Sequence, residues 1–171
     1  MNSETNDVVV DDCEQLVVFG LADEYYGVDI GSVNTIIRMQ EITAIPKVAQ
    51  FVEGVINLRG TIIPVINLRK RFGLPMGELT KAARIVVVEA AGQMIGMTVD
   101  AVAETLRLPV DSIEPPSPVI SSVDSDYLRG VGKQENRLVI LLDLDKVLTA
   151  KEFEGIEKMT GRAKDEMEVA A

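Results

Sequence analysis

The stretch GVINLRGTIIPVINLRKRFG, residues Gly54 to Gly73, holds two near copies of one phrase, VINLRG and VINLRK, with Pro64 in the apolar run between them. Val55 to Leu58 and Thr61 to Leu68 have strand composition, and Arg59-Gly60 between them reads as a tight hairpin turn. In the second run Ile62, Pro64, Ile66 and Leu68 fall on one face and Ile63 and Val65 on the other. A strand apolar on both faces is covered on both sides. Pro64 has no amide proton to give to a ladder, so its expected place is an edge or a bulge.

The same reading extends outward. Leu16 to Leu21 and Tyr25 to Ile30 form a hairpin around Ala22-Asp23-Glu24, and Val33 to Met39 resumes the apolar pattern before Pro46. Downstream, Arg84 to Glu89, Met94 to Val99 and Thr105 to Leu108 precede the loop Glu114-Pro115-Pro116-Ser117-Pro118. Leu128 to Lys133 and Arg137 to Leu142 make a further hairpin around Glu135-Asn136. From Asp143 the period becomes helical, with Asp145 as the expected N-terminal cap and Leu144, Val147 and Leu148 on one face; Lys151 to Met159 is a second amphipathic segment.

The chain also resembles itself. A slide of 69 positions pairs Gly27 with Gly96, Val33 with Val102, Arg38 with Arg107 and Pro46 with Pro115. A slide of 76 pairs Phe51 with Tyr127, Gly54 with Gly130, Val55 with Val131, Leu68 with Leu144 and Lys70 with Lys146. Two successive blocks matching in the same order imply two copies of one all-β unit. About five short strands per copy suit a small closed barrel that hides its edges. Glycines shared by both copies are most simply required by the fold. Asn57-Leu58-Arg59-Gly60, by contrast, pairs with Lys133-Gln134-Glu135-Asn136, so topology alone does not explain Arg59. It is either a solvated turn residue or an interaction residue.

Composition removes whole classes of function. The 171 residues are 47% apolar, enough for a folded core, and contain no histidine. That excludes Ser-His-Asp and Cys-His nucleophiles, His-ligated metal and a phospho-accepting histidine. The acidic pairs Asp11-Asp12, Asp23-Glu24 and Asp143/Asp145 read as solvated charge, and there is no phosphate-binding glycine loop. Neither a cofactor nor a metal is expected, and the chain does not read as an enzyme. Cys13 is a lone thiol among acidic residues. The net charge of -10 opposes broad nucleic-acid or acidic-lipid binding, and Arg69, Lys70 and Arg71 read as a solvated hairpin end or helix face. With no apolar run near the length of a membrane span and an acidic start, MNSETNDVVVDD, a cytoplasmic protein without membrane insertion is expected.

FVEGVINLRGTIIPVINLRKRFG, preceded by EYYGVDIGSV and followed by YLRGVG and LVILLDLDKVL, strongly resembles the CheW family of bacterial chemotaxis coupling proteins from about Leu16 to Leu148. The resemblance implies two SH3-like five-stranded β-barrels packed together, with a short C-terminal helix. It gives a flexible acidic tail over 1–13, a double-barrel domain over 14–150, and a helical or frayed tail over 151–171. Within that domain the barrels are expected at about 14–82 and 83–142 and a helix at 143–150, exchanged segments being one way to complete the first barrel.

The implied activity is that of an adaptor joining the cytoplasmic tips of methyl-accepting chemoreceptors to the regulatory domain of the histidine kinase CheA. Ring assembly with CheA or other CheW-like domains, in receptor arrays at the inner membrane, is implied as well. Ile30, Val33, Ile36, Gly54 and Arg59 fall at positions the family associates with receptor binding or array assembly, and Gly96 and Val102 at the corresponding kinase face. Val33 and Gly54 have a competing reading as fold residues, because their repeat partners are identical.

Many relatives carry an acidic residue where this chain has Thr35, placed to pair with the arginine of NLRG. Here the acidic residue stands in the second copy, at Glu104. Glu41 substitutes for it only if the chain brings it near Arg59. Coupling in a type IV pilus, gliding or second-messenger pathway is the alternative within the family. A tandem-barrel nucleic-acid protein using Arg59, Arg69, Lys70 and Arg71 is the alternative outside it.

Overall fold

A computed structural model describes residues 12–116 and 125–170. The expected acidic tail lies outside them as far as residue 11, as does the Ser117-Pro118 end of the proline-rich loop. The first strand starts three residues before the apolar run at Leu16: β1 spans Cys13–Leu21, and the Asp12 carbonyl accepts the Val110 amide. It is followed by β2 (Glu24–Asp29), β3 (Val33–Arg38), β4 (Val52–Leu58), β5 (Thr61–Asn67) and the short helix α1 (Leu68–Phe72). Then come β6 (Arg84–Ala90), β7 (Gln93–Val99), β8 (Ala101–Pro109), β9 (Ile113–Glu114), β10 (Leu128–Gln134), β11 (Arg137–Leu142) and the helix α2 (Ala150–Ala170).

The strands make two sheets, in the orders β3-β6-β7-β5-β4 and β8-β1-β2-β11-β10-β9. The repeat maps β1 onto β6, β2 onto β7, β3 onto β8, β4 onto β10 and β5 onto β11, and the first sheet then becomes the second without a change of order. A boundary near residue 82 does not divide the sheets. After β2 the chain crosses to the other sheet, and after β7 it crosses back at Asp100, whose amide donates to the Gly20 carbonyl. Each sheet therefore joins a hairpin from one half of the chain to strands from the other, three in the five-stranded sheet and four in the six-stranded one, where β9 is added.

Equivalence extends to irregularities. Register shifts occur between Val33 and Thr35 opposite β6, and between the matching Val102 and Glu104 opposite β1. The hairpin turns at Ala22 (φ 56°) and Ala91 (φ 50°) correspond, as do those at Arg59 (φ 54°) and Glu135 (φ 42°). Gly54 answers Gly130 for a steric reason. A Cβ on Gly54, at φ +143°, would lie 2.1 Å from the Thr43 carbonyl oxygen, and one on Gly130 would lie 3.0 Å from the Glu114 carbonyl oxygen. Thr43 pairs with Val55 as Glu114 pairs with Val131, so a crossing segment presses on the same glycine in both barrels.

Three apolar clusters among the described residues hold the molecule together. Ile56, Ile63, Val65, Ile85 and Val87 fill one barrel, and Leu16, Val18, Leu108, Val139 and Leu141 fill the other. Between the barrels lies a larger cluster that takes Phe19, Tyr26 and Val28 from one and Val55, Ile66, Val86 and Met97 from the other. β5 is thus covered on both sides as its pattern requires, with Ile63 and Val65 inside a barrel and Ile66 in the central cluster.

Pro64, however, is neither on an edge strand nor at a bulge. β5 lies between β4 and β7, and its parallel ladder with β7 begins at Val65, one residue after the missing donor. The segment after Asp143 also differs from its expected helix. It is a 3-10 turn, Leu144–Lys146, in which the Asp143 carboxylate accepts the Asp145 amide. Asp145 instead accepts the Ala91 amide.

α2 starts with a reciprocal cap, the Thr149 hydroxyl accepting the Glu152 amide (3.1 Å) and the Glu152 carboxylate accepting the Thr149 amide (2.8 Å). Its stripe Phe153, Ile156, Met159 and Ala163 enters the central cluster, so the helix seals the joint between the barrels. Each large side chain on that stripe contributes about 1.5–3 kcal/mol by leaving water.

Candidate partner-docking surface

The two VINLR phrases share a local device and then part. The Asn57 side chain accepts the Gly60 amide (2.8 Å), and the Asn67 side chain accepts the Lys70 amide (3.0 Å). Each asparagine closes a turn three residues long. The first turn is a two-residue hairpin with left-handed backbone at Arg59 and Gly60, which leaves Arg59 exposed. The second opens α1, and there every cation has a carboxylate.

Arg69, with 16% of its side chain exposed, makes a two-pronged contact with Asp100 (3.1 and 2.5 Å) and donates to the Pro75 carbonyl. The hydrogen bond to Asp100 raises the Arg69 pKa. Lys70 pairs with Glu53 at 3.0 Å. Arg71 pairs with Glu152, donates to the Val147 carbonyl and lies over the rings of Phe51 and Tyr127. Arg69 and Arg71 are therefore not the solvated charges their spacing implies, and the basic run is neutralised within the chain.

Arg59 stands apart. It borders a depression of about 590 Å3 with Asn34, Thr35, Leu58, Thr61, Ile63 and Met94. Ile63 belongs to the interior of the β3–β7 barrel, against which Leu58 and Met94 pack half-buried, so the depression is that barrel's open mouth. Among the described residues no carboxylate forms an ion pair with Arg59, and Glu41 does not line the mouth.

The repeat carries Thr35, Leu58, Arg59, Thr61, Ile63 and Met94 onto Glu104, Gln134, Glu135, Arg137, Val139 and Tyr25. In the second barrel those side chains join. Arg137 forms an ion pair with Glu104, its guanidinium lies 4.5 Å from the Tyr25 ring centre, and its Nε donates to Gln134 (3.0 Å). One mouth is stoppered from within and the other is open.

The remaining residues singled out from the sequence occupy different settings. Ile30, in the 3-10 turn after β2, and Ile36, next to Thr35 on β3, are large apolar side chains each 38% exposed. Val33 and Val102 are half-buried against the central cluster at matching places on β3 and β8. Gly54 and Gly96 are buried; a Cβ on Gly96 would meet Ile85 at 2.9 Å and Val65 at 3.4 Å. The structure thus brings Arg59 together with Thr35, beside Ile36, and sets Val33 and Val102 each against the central cluster. It does not bring Ile30, Gly54 or Gly96 into the mouth.

Leu58, Ile63 and Met94 went unnoticed as site residues because each reads as an ordinary strand residue. The available signal was the repeat, which aligns Met94 with Tyr25 and Thr61 with Arg137. No helix among the described residues is long and apolar enough to cross a membrane.

A CheW-like domain model matches residues 15–152, both barrels and the start of α2. The chain is 33% identical over 155 residues to the chemotaxis protein CheW of Treponema pallidum, covering 88% of this chain and 91% of that one. It is 34% identical over 134 residues to the CheW of Thermotoga maritima, covering 78% and 87%. The crystal structure of the scaffolding protein TtCheW from Thermoanaerobacter tengcongensis superposes with a TM-score of 0.76 at 41% identity, over 82% of this chain and 95% of that one. The all-β architecture of two packed SH3-like barrels with a C-terminal helix is common to both molecules. A duplicated barrel with exchanged strands, matched along nearly the whole length of these relatives, places the chain in the CheW family.

Proposed function

We propose that this chain is a non-enzymatic adaptor of bacterial chemotaxis signalling, joining the cytoplasmic tips of methyl-accepting chemoreceptors to the regulatory domain of the histidine kinase CheA. The observation that carries this reading is the family match across both barrels, residues 15–152. A chain with no histidine cannot be the component phosphorylated on histidine, which is compatible with a coupling role.

Ile30, Val33, Ile36 and Arg59 belong to the receptor or array face, where an apolar stripe of the receptor hairpin meets the three apolar residues and the arginine's charge sets orientation. Gly54 acts from beneath that face by holding its backbone. Gly96 and Val102 do the same for the kinase face, Gly96 through packing and Val102 beside the central cluster. Pairing of this double barrel with the related domain of CheA extends the complex into rings, and the adaptor is a cytoplasmic protein recruited to receptor arrays at the inner membrane.

The test is retention of a soluble receptor-tip fragment and of CheA on the immobilised adaptor. The wild type is expected to retain both together. Arg59→Glu is expected to melt within about 4 °C of wild type, since an exposed charge contributes about 0–1 kcal/mol to stability. It is also expected to lose most of the receptor fragment. A variant that unfolds instead removes Arg59 from the interface, and a wild type that retains neither protein removes the adaptor reading.

A further inference from the structure

The two barrel mouths are built at equivalent positions from different side chains. In the second barrel Arg137, Glu104, Tyr25 and Gln134 fill the mouth with a charge pair over a ring. In the first, threonine stands at the positions of both the acid and the arginine, methionine replaces the ring, and about 590 Å3 is left open. Arg59 stands on the rim without a carboxylate partner among the described residues. A guanidinium beside half-buried Leu58 and Met94 and buried Ile63 offers a charge at the edge of an apolar floor.

We infer that the open mouth is a socket for an acidic side chain of the receptor hairpin, which supplies Arg59 in trans with the carboxylate that Thr35 does not supply in cis. The apolar stem or neighbour of that acidic residue covers Leu58, Ile63 and Met94. The inference rests on the adaptor reading and adds the chemistry of what is read. Charge complementarity sets the occupant: a guanidinium with five N–H donors and no acceptor is satisfied by a carboxylate, and a cationic or purely apolar occupant leaves it unpaired. The second barrel offers no such socket, because its own carboxylate and guanidinium already meet.

Overall charge does not guide this contact. The chain carries -10, so an acidic partner is repelled at long range and salt weakens that repulsion. A salt titration therefore mixes two opposite effects, and a double-mutant cycle isolates the contact.

The experiment measures the affinity of the intact chain for a soluble receptor-tip fragment by calorimetry. Thr35→Glu places the missing acid in cis and Thr35→Gln gives the same size without charge; circular dichroism confirms that both fold. Thr35→Glu is expected to weaken binding about tenfold and Thr35→Gln less than about threefold. A scan of Glu→Gln and Asp→Asn changes along the receptor tip is expected to find one position that costs about tenfold against wild type and nothing further against Arg59→Gln.

If the wild type binds the fragment but no acidic position couples to Arg59, the carboxylate socket is overturned and the adaptor reading stands. Coupling to an acid of the kinase regulatory domain, with none on the receptor, overturns it as well. A wild type that does not bind the fragment overturns both.

Discussion

Gly54→Ala separates the two readings of a residue that the family places at a receptor face and the repeat places in the framework. A methyl group there meets the Thr43 carbonyl oxygen at 2.1 Å and the carbonyl carbon at 2.7 Å, both backbone atoms. No side-chain rotation relieves that contact. The segment bearing Thr43 has to leave, taking with it two hydrogen bonds, Thr43 amide to Val55 carbonyl and Val55 amide to Thr43 carbonyl, each 2.9 Å.

Losing these costs about 0.5–1.5 kcal/mol apiece. Forcing an alanine to φ +143° adds about 1–3 kcal/mol. Together they destabilise the chain by about 2–6 kcal/mol, a large share of the ~5–15 kcal/mol that holds an ordinary domain. For a chain of this size the midpoint should fall by roughly 4–24 °C.

Gly130→Ala is the internal control. Its nearest obstacles are a side-chain methyl of Ile113 at 2.9 Å and the Glu114 carbonyl oxygen at 3.0 Å, and its backbone is not in the left-handed region. Shifts of a few tenths of an ångström relieve both, at about 1–3 kcal/mol. Thermal and urea unfolding followed by circular dichroism should rank the variants wild type, Gly130→Ala, Gly54→Ala in falling stability. A Gly54→Ala protein as stable as wild type but unable to hold a receptor fragment would refute the steric argument and make the glycine a contact residue.

Two further outcomes follow from the exchange of strands and from the helix. Fragments 1–82 and 83–171 should each be unfolded alone, because every barrel needs strands from both, and should fold when mixed; dispersed amide resonances from either fragment alone would contradict the shared sheets. Ile156→Ala should cost about 2–4 kcal/mol in urea unfolding, since this side chain is 5% exposed in the central cluster, and a loss below about 1 kcal/mol would show α2 to be an appendage.

Much of the framework was legible because the repeat and the strand pattern constrain each other. Identical glycines at 27/96 and 54/130 marked close approaches before any contact was visible, and the double apolarity of Ile62 to Leu68 fixed β5 between two cores. The exchange was not legible in physical terms. The alternation along β3, half-buried Val33, Thr35 and Ile37 against exposed Asn34, Ile36 and Arg38, says which face is covered and nothing about whose strand lies alongside.

The same limit explains Arg59 and Arg69. Both end the phrase VINLR, and both follow an asparagine that closes a turn. Only tertiary structure puts Asp100, 31 residues on, against Arg69 and leaves Arg59 without such a partner among the described residues. Asp145 does not cap the turn for a local reason: Asp143 two residues earlier has the same side chain and accepts the free amide.

The divergence of the two mouths has a physical logic. A duplicated fold presents two equivalent surfaces, and an adaptor with two different partners has to make them unequal without disturbing what holds each barrel. Positions inside the barrels stay apolar in both copies, as at Ile63/Val139 and Val65/Leu141. The differences gather at the rim, at Thr35/Glu104, Arg59/Glu135, Thr61/Arg137 and Met94/Tyr25, where side chains are exposed or half-buried and substitutions away from the core usually change stability by only about 0.5 kcal/mol. Arg59 and Glu135 make the case most directly. Both hold the same left-handed turn position, so the backbone requirement is met twice while the charge is reversed. Since either charge satisfies the fold, the fold does not dictate an arginine at 59, and the proposed partner contact draws on that freedom.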